Sequence, residues 1–374
     1  MSSIRTFVLA SLGFAGVAGL AQTPASLKDA YQGAFFVGAA VNANQFTGKD
    51  SRSAAIVKEQ FSTITPENVL KWERVHPKLD NYDFVLPDQF VAFGEKNHMF
   101  IVGHCLIWHA QTPAWVFQDE NGKQIGRDAL LKRMHDHIST VVGRYKGRIQ
   151  SWDVVNEALN EDGTLRQSPW MKIIGEDYIA KAFQYAHEAD PQAQLNYNDY
   201  SIENEAKRNG AVALIRKLQA QGIPVSTVGI QGHDSLDWPS ADLEDATITA
   251  FAALGVKVAI TELDVDVLPS AWSPTADVTL NVKSDPKINP YPNGLPDDVQ
   301  KALAKQYAGL FAVYLKHRDV VNRVTFWGVT DGDSWKNNWP VMGRTDYPLL
   351  FDRAGKPKPA YDAVIKEAAQ SLKK

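Results

Sequence analysis

Two glutamates stand at the ends of apolar segments and offer the pair of acids that a hydrolytic reaction requires. Glu157 ends the sequence Ser-Trp-Asp-Val-Val-Asn-Glu, and Glu262 lies within Val-Ala-Ile-Thr-Glu-Leu-Asp. On either side of a glycosidic bond, one protonated carboxyl can donate to the leaving oxygen while an ionised carboxylate attacks the anomeric carbon. Either glutamate alone is better explained as a salt-bridge partner or a helix cap, so only the two together predict this chemistry.

The segments around both glutamates carry side chains that suit a sugar. Trp108, Trp327 and Trp335 offer flat apolar faces that stack on the C–H surfaces of pyranose rings. Donors and acceptors for ring hydroxyls come from Glu67, Asn68, Lys71, His104, Asn156, Gln231 and His233. These ten residues form the predicted substrate-binding set, and Asp153 and Asp264 are predicted to support them.

Some of these residues also have simpler structural explanations. A single tryptophan is often part of a packed core, and Lys71 is equally suited to pairing with a buried glutamate. His104 can hydrogen-bond Asp153 as an interior pair that never touches a substrate. Both readings of His104 stay open on the sequence alone.

Strand periodicity gathers these residues at one end of a set of strands. Side chains alternate along a strand, so residues two apart face the same way. The groups of equal parity at strand ends are His104 with Leu106 and Trp108, Asp153 with Val155 and Glu157, Gln231 with His233, Glu262 with Asp264, and Trp327 with Asp331. Barrel enzymes build their active sites where their strands end.

Eight apolar runs alternate with amphipathic segments from residue 34 onward. The predicted strands cover residues 34–41, 61–67, 100–108, 149–157, 194–199, 227–233, 256–264 and 324–331. Helical spacing of apolar residues marks segments such as 129–145, 206–219, 303–315 and 360–372. This order predicts an α/β fold, a single (β/α)8 TIM barrel with elongated βα loops after strands 7 and 8. A doubly wound sheet is the alternative, but no G-x-G-x-x-G follows the first strand.

Composition narrows the range of functions. The 374-residue chain has a net charge of −4 and no basic run, so we expect no nucleic-acid partner. Its one cysteine can form neither an intrachain disulfide nor a thiolate metal cluster. A metal site built on His104, His109, His233 and Asp264 is the alternative, but His104 and His109 are five apart on a strand and so face opposite ways, and no H-E-x-x-H occurs, so we expect no metal or other cofactor. The absence of G-x-S-x-G argues against a serine nucleophile.

The N-terminus has the pattern of a secretory signal. Arg5 precedes an apolar stretch at residues 7–21 that ends in small residues. This stretch is too short and too rich in glycine for a membrane span, and no later segment is apolar enough to cross a bilayer. We expect residues 1–21 to be a signal peptide and residues 22–374 to form one catalytic domain. The exported protein, whether periplasmic, cell-surface or secreted, is expected to be a monomer.

Six segments in order resemble glycoside hydrolase family 10, the barrel endo-β-1,4-xylanases. The likeness runs from about residue 30 to the C-terminus, and six such segments in family order are far more specific than any one of them. They are Thr-Pro-Glu-Asn-Val-Leu-Lys-Trp (65–72), Gly-His-Cys-Leu-Ile-Trp-His (103–109), Trp-Asp-Val-Val-Asn-Glu-Ala (152–158), Ile-Thr-Glu-Leu-Asp (260–264), Phe-Trp-Gly-Val-Thr-Asp (326–331) and Pro-Leu-Leu-Phe-Asp (348–352). Residues 336–347 depart from these motifs.

The resemblance implies retaining hydrolysis of internal β-1,4-xylosidic bonds in xylan and xylo-oligosaccharides. It implies Glu157 as the acid/base, Glu262 as the nucleophile, and glycone-side contacts from the predicted substrate-binding set other than His233, with Asn156 beside the reacting sugar. It also implies that His233 bridges Glu262 and Asp264. The alternatives are another retaining barrel glycosidase, such as a β-1,4-glucanase, and a non-catalytic sugar-binding barrel, which would need neither glutamate.

Overall fold

Eight parallel strands close into a barrel in the computed structural model, which describes residues 26–269 and 285–372. The eight barrel strands and one short additional strand, β7, are in chain order β1 (Phe36–Val41), β2 (Thr63–Pro66), β3 (Phe100–Ile107), β4 (Ser151–Asn156), β5 (Gln194–Asp199), β6 (Thr227–Ile230), β7 (His233–Ser235), β8 (Lys257–Asp266) and β9 (Val321–Phe326). Strands β1 to β6 pair in sequence, and the ring closes through the pairs β6–β8, β8–β9 and β9–β1. The predicted (β/α)8 TIM barrel is confirmed.

Helices cover the outside of the barrel. Those in the described residues are α1 (Leu27–Ala30), α2 (Ala43–Phe46), α3 (Ser51–Gln60), α4 (Trp72–Val75), α5 (Val85–Lys96), α6 (Arg127–Arg144), α7 (Pro169–Ile174), α8 (Tyr178–Ala189), α9 (Glu205–Ala220), α10 (Ala241–Ala252), α11 (Asp297–Lys316) and α12 (Pro359–Ser371). Within 26–269 and 285–372, no helix combines the length and the apolar character that a membrane span needs. The predicted signal peptide lies outside the described residues.

Helix α6 illustrates how the sequence specifies this outer layer. Leu130, Met134, Ile138 and Val142 recur every four residues and are all buried. Because a helix turns once in about 3.6 residues, this spacing forms one apolar stripe that packs on the barrel. Most of the polar residues between them face solvent, but His137 is buried.

Two of the predicted strands differ from the observed ones. Residues 227–233 form two strands rather than one, because Gly232 has a φ of +73° and turns the chain between β6 and β7. Strand β7 then pairs with the far end of β8. The eighth barrel strand begins at Val321 and ends at Phe326, so Asp331 lies beyond it and is not part of a strand. Asp331 is fully buried and accepts hydrogen bonds from Lys358 Nζ at 2.9 and 3.1 Å.

Long connections follow the seventh and eighth barrel strands, as predicted. The first joins β8 to α11, and residues 270–284 of it lie outside the described part of the chain. The second joins β9 to α12 and contains a short 3-10 turn at Trp335–Asn337. Both follow the carboxyl ends of barrel strands, and the second supplies Trp335 and Trp339 to the cleft described below.

Close packing inside the barrel depends on small residues at particular places. A Cβ atom on Gly103 of β3 would lie 2.2 Å from Trp152 Cε3 of β4, so only glycine leaves room for this buried indole. The single cysteine, Cys105, is buried on the same strand. Its burial raises the pKa of the thiol well above the usual value.

The two ends of the described chain meet on the outside of the barrel. Tyr31, after α1, donates its hydroxyl to the carbonyl oxygen of Val364 in α12 at 2.8 Å. Gln60 Oε1 accepts from the Leu27 amide at 3.1 Å and from the Tyr361 hydroxyl at 3.0 Å. These contacts join the N-terminal and C-terminal helices across the closure of the ring.

Candidate active site

A cleft of about 330 Å³ opens at the carboxyl ends of the barrel strands. This volume lies in the range of ordinary ligand sites. Both glutamates and all ten residues of the predicted substrate-binding set line the cleft. The remaining lining residues are Gln111, Tyr200 and Trp339. Asp153 and Asp264 are buried beneath it and contact lining residues from below.

Glu157 follows β4 directly and accepts hydrogen bonds from three side chains. Trp108 Nε1 donates to Oε2 at 2.8 Å, and Asn156 Nδ2 and Gln231 Nε2 each donate to Oε1 at 3.1 Å. The backbone of Glu157 has a φ of 57°, a left-handed conformation that costs an L-residue about 1–2 kcal/mol. The carboxyl group is therefore held in one orientation at the cleft wall.

Strict alternation along β4 does not hold at its end. The pairing registers of β4 shift near Asp153, and the left-handed conformation of Glu157 turns the chain after the strand. As a result, the consecutive residues Asn156 and Glu157 both face the cleft, whereas Val155 is buried in the core. The parity grouping of Val155 with Glu157 was wrong for this reason.

Glu262 of β8 is tied to Glu157 through two amides. Asn198 Nδ2 donates to Glu262 Oε1 and to Asn156 Oδ1, at 2.8 Å in each case. Thr261 Oγ1 donates to Asn198 Oδ1 at 2.6 Å, which fixes the orientation of the amide. Since Asn156 also donates to Glu157, the order Glu262–Asn198–Asn156–Glu157 forms a continuous hydrogen-bonded bridge.

His233 lies between Glu262 and Asp264. Its Nε2 is 3.4 Å from Glu262 Oε2, and its Nδ1 is 3.1 Å from Asp264 Oδ1. Burial lowers the pKa of His233, but the charge of Asp264 and the hydrogen bonds to Asp264 and Glu262 outweigh it and raise the pKa to about 9. The ring is therefore an imidazolium at neutral pH.

Asp264 accepts from a second cleft residue, Trp335. Trp335 Nε1 donates to Asp264 Oδ2 at 2.8 Å. Burial opposes ionisation of Asp264, yet Lys336, His233 and this hydrogen bond together lower its pKa. Asp264 therefore stays ionised and orients both rings without facing the cleft.

His104 combines the two roles that the sequence left open. Its Nδ1 lies 3.0 Å from Asp153 Oδ2, while its ring lines the cleft and packs edge-on against Trp327 at 5.2 Å between centroids. Burial raises the pKa of Asp153, but the hydrogen bond from His104, the charges of His104 and Arg323, and a hydrogen bond from Asn196 lower it overall. Asp153 thus remains a buried acceptor that fixes the imidazole.

A third polar group lines the cleft near the end of β2. Asn68 Nδ2 donates to Glu67 Oε1 at 3.2 Å, and Lys71 Nζ donates to Asn68 Oδ1 at 3.0 Å. Lys71 Nζ also lies 5.1 Å from the ring centroid of Trp108. Burial raises the pKa of Glu67, although Lys71 and Asn68 oppose the change. This wall presents a carboxyl, an amide and an ammonium to one ligand.

The titratable residues of the cleft are not arranged as metal ligands. In the part of the chain that the structure describes, no group of three or more His, Cys, Asp or Glu side chains has the geometry to hold a metal ion. The arrangement instead supplies two acids in one cleft, hydrogen-bond donors and aromatic walls, which suits acid–base and nucleophilic chemistry on a carbohydrate.

Comparison with known families identifies this arrangement. The family model described as "Glycosyl hydrolase family 10" matches residues 26–367. The chain belongs to this family. Among the relatives of this chain, endo-1,4-beta-xylanase A of Xylanibacter ruminicola is 45% identical over 351 residues, which cover 94% of this chain and 95% of the relative. The beta-1,4-xylanase of Dictyoglomus thermophilum is 40% identical and covers 95% of each chain.

Solved structures agree with the family 10 assignment. A GH10 endoxylanase retrieved from a sugarcane soil metagenome superimposes with a TM-score of 0.89 and is 49% identical, covering 91% of this chain and 99% of that one. The xylanase XynB of Paenibacillus barcinonensis, solved with a conduramine derivative, gives a TM-score of 0.82 at 37% identity. It covers 91% of this chain and 98% of its own.

Sequence reasoning missed several residues of this family 10 cleft. Tyr200, which lines the cleft, and Asn198, which is buried and contacts Glu262, follow the parity of Asn196 on β5, so the rule applied to the other strands, if extended there, would have found them. Gln111 and Trp339 lie in loops, where no periodicity indicates the direction of a side chain. Trp339 stacks on Trp335 with ring centroids 4.5 Å apart and extends the aromatic wall.

Proposed function

We propose that this protein is an endo-1,4-β-xylanase that hydrolyses internal β-1,4-xylosidic bonds in xylan and xylo-oligosaccharides with retention of configuration. The main support is that Glu157 and Glu262 border one cleft and are joined through Asn198 and Asn156. The names of the Xylanibacter and Dictyoglomus relatives support the choice of substrate.

In the first half of the reaction, Glu157 donates its proton to the glycosidic oxygen as Glu262 attacks the anomeric carbon. The bond from this carbon to the leaving oxygen breaks, and an ester forms between xylose and Glu262. Asn198 and His233 donate to Glu262 and orient it. The aglycone part of the chain then leaves as an alcohol that carries the proton of Glu157.

In the second half, Glu157 acts as a base. Ester formation removes the negative charge of Glu262, which favours the ionised form of Glu157. Glu157 takes a proton from water, and the resulting oxygen attacks the anomeric carbon and displaces Glu262. The sugar is released with its original configuration, and both glutamates return to their starting states.

The other lining residues bind the xylose units on either side of the bond that is cleaved. Trp327 and Trp335 offer ring faces to the C–H surfaces of xylose, with Trp108 holding Glu157 in place. Glu67, Asn68, Lys71, His104 and Gln231 distribute hydrogen bonds among ring hydroxyls on the glycone side.

Mass spectrometry after brief exposure to an activated 2-fluoro-xyloside tests the mechanism. We expect one covalent adduct on a peptide that contains Glu262. Glu157→Ala should still form the adduct, because the activated leaving group needs no protonation, whereas Glu262→Gln should not. An adduct on another residue, or full xylan hydrolysis by Glu262→Gln, would contradict the assignment.

Substrate assays separate this function from its two alternatives. We expect cleavage of xylan and little cleavage of carboxymethyl-cellulose, with the β-anomer as the initial product by proton NMR. Faster cleavage of the cellulose would indicate a glucanase. Binding of xylan with no hydrolysis would indicate a sugar-binding barrel.

Export and a monomeric state complete the proposal. The support for export is the sequence pattern of residues 1–21. N-terminal sequencing of the mature protein should find a start close to residue 22, and light scattering should give the mass of one chain. A mature protein that still begins at Met1 would contradict export by cleavage.

A further inference from the structure

Lys336 is a buried lysine in the loop after β9, directly after the cleft residue Trp335. Its Nζ lies 3.3 Å from Asp264 Oδ1 and 3.8 Å from Asp266 Oδ2, and its side chain is 9% exposed. It belongs to the segment that departs from the family's motifs. Burying an ammonium group costs free energy unless a nearby negative charge compensates it. The buried position of Lys336 therefore needs a physical explanation.

Asp264 is the carboxylate that Lys336 compensates, and it has two other partners. Asp264 Oδ1 is shared between Lys336 Nζ and His233 Nδ1, which is 3.1 Å away, while Oδ2 accepts from Trp335. Asp264 is fully buried, so water does not supply a further donor. The position of this carboxylate therefore decides the orientation of both His233 and Trp335.

The charges around His233 come from several elements. Glu262 and Asp264 on β8 contact its two nitrogens, Glu203 approaches from the loop after β5, and Lys336 acts on it across Asp264. Lys336 and His233 therefore compete for the same buried negative charge. Without Lys336, Asp264 would hold the His233 proton more tightly, and it would also be free to rotate away from Trp335.

We propose that Lys336 is a positioning residue for the xylanase reaction, which fixes Trp335 and His233 through Asp264 and limits the proton affinity of His233. This proposal rests on the proposed function. It assigns to Lys336 an effect on substrate affinity and on the alkaline end of the pH profile, and not on the chemical step itself.

Steady-state kinetics of Lys336→Met on xylo-oligosaccharides, across pH 5 to 11, test the proposal. We expect KM to rise about tenfold while kcat per labelled active site changes less than about threefold. The alkaline limit of kcat/KM should move up by about one pH unit, because a positive charge near His233 has been removed. Lys336→Arg should restore both values toward those of the parent.

The matched control is Lys301→Met, which removes an exposed lysine from α11. Labelling with the 2-fluoro-xyloside counts the folded active sites in every variant. If Lys336→Met lowers only the number of active sites, with KM and pH profile unchanged, Lys336 is structural and the proposal is overturned. If the parent and Lys301→Met fail to cleave xylan, the proposed function fails instead.

Asp266→Asn provides a second route in case Lys336→Met does not fold. The change keeps the side-chain volume and leaves Asp264 as the nearer acid partner of Lys336. The alkaline limit should then move down, the opposite direction from Lys336→Met. An unchanged limit in this variant would overturn the proposal.

Discussion

At the scale of single residues, the cleft holds its two glutamates in different ways. Glu157 accepts from three neutral donors, whereas Glu262 accepts from an amide and contacts a charged imidazole. The two carboxyl groups are therefore oriented by different kinds of neighbour, and the nearest imidazole nitrogen to Glu157, His109 Nδ1, lies 4.0 Å from Oε2.

Asn198 should contribute strongly to catalysis although it was not predicted from the sequence. We expect Asn198→Ala to lower kcat/KM on xylo-oligosaccharides by about 30- to 100-fold, because a hydrogen bond to a charged group and the bridge to Asn156 are both lost. Asn204→Ala is the control, since Asn204 is exposed and its side chain makes no capping hydrogen bond. A loss of less than threefold in Asn198→Ala would show that the bridge is dispensable.

His233 should set an alkaline limit on activity. Its pKa of about 9 means that it is charged below this pH and neutral above it. We therefore expect kcat/KM to fall as the pH rises through about 9. In Asp264→Asn, the main charge that raises the pKa is absent, so the residual activity should be lost at lower pH. If the alkaline limit does not move in Asp264→Asn, a group other than His233 sets it.

Glu244 should destabilise the fold at neutral pH. It is 1% exposed, and neither of its carboxylate oxygens has a hydrogen-bond partner. Burial, with the nearby charge of Glu203, raises its pKa well above the usual value. Since the folded state keeps this proton while the unfolded chain loses it above about pH 4.5, stability decreases as the pH rises from there.

We therefore expect Glu244→Gln to stabilise the fold by an amount that depends on pH. We expect the free energy of unfolding to increase by about 1–2 kcal/mol at pH 8 and by much less at pH 5, as measured by thermal and urea unfolding. Glu205→Gln, an exposed change at the start of α9, is the control. An equal gain at both pH values would mean that proton binding is not the cause.

At the scale of elements, the sequence predicted the order of the strands but not all of their ends. Alternation pointed to His104, Glu262 and Trp327, although the pairing register of β8 shifts between Ile260 and Leu263. Alternation alone does not place Asn156 beside Glu157, where a register shift and a left-handed residue turn two consecutive side chains into the cleft. Such departures depend on tertiary contacts, which no local pattern in one sequence encodes.

The adjacent strands β5 and β6 also position the bridge between the glutamates. A Cβ on Gly229 would lie 2.4 Å from Asn198 Oδ1 and 2.8 Å from Thr261 Cγ2. We expect Gly229→Ala to displace the Asn198 amide, to cost about 1–3 kcal/mol of stability and to lower kcat. Thermal unfolding and steady-state kinetics of the same preparation measure both effects.

Gly309→Ala is the matched control for this substitution. Gly309 lies in the interior of α11, and nothing lies within 4 Å of the Cβ position. The change should stabilise the protein by about 0.5–1 kcal/mol, because alanine favours a helix more than glycine does. If Gly229→Ala were as stable and active as the parent, β6 would have to move without affecting Asn198.

At the scale of the whole molecule, the barrel depends on contacts between its two ends. The ring closes between β1 and β9, and the nearby helices α1 and α12 are joined by Tyr31 and, through Gln60 of α3, by Tyr361. The strand sequence predicts the ring, since eight βα units have one common closed arrangement. These distant hydroxyl contacts between the chain ends have no counterpart in local sequence patterns.

Tyr31→Phe should weaken this closure without changing catalysis. The loss of one buried hydrogen bond should lower the free energy of unfolding by about 1 kcal/mol, with kcat/KM unchanged, because the contact lies outside the barrel. In the described structure, the hydroxyl of Tyr185 makes no hydrogen bond that would be lost, so Tyr185→Phe is the control. A lower kcat/KM in Tyr31→Phe would contradict this prediction and would show that the ring closure affects the cleft.

The burial of Cys105 gives the protein a practical advantage. Its inaccessible, protonated thiol should ignore maleimide reagents, so the chain needs no preliminary removal of native cysteine. Met342 is 70% exposed and lies three residues beyond Trp339. The substitution Met342→Cys would therefore introduce a single reactive thiol for a fluorophore. A dye at this rim would report polysaccharide capture in real time or anchor the enzyme to a solid support in one defined orientation.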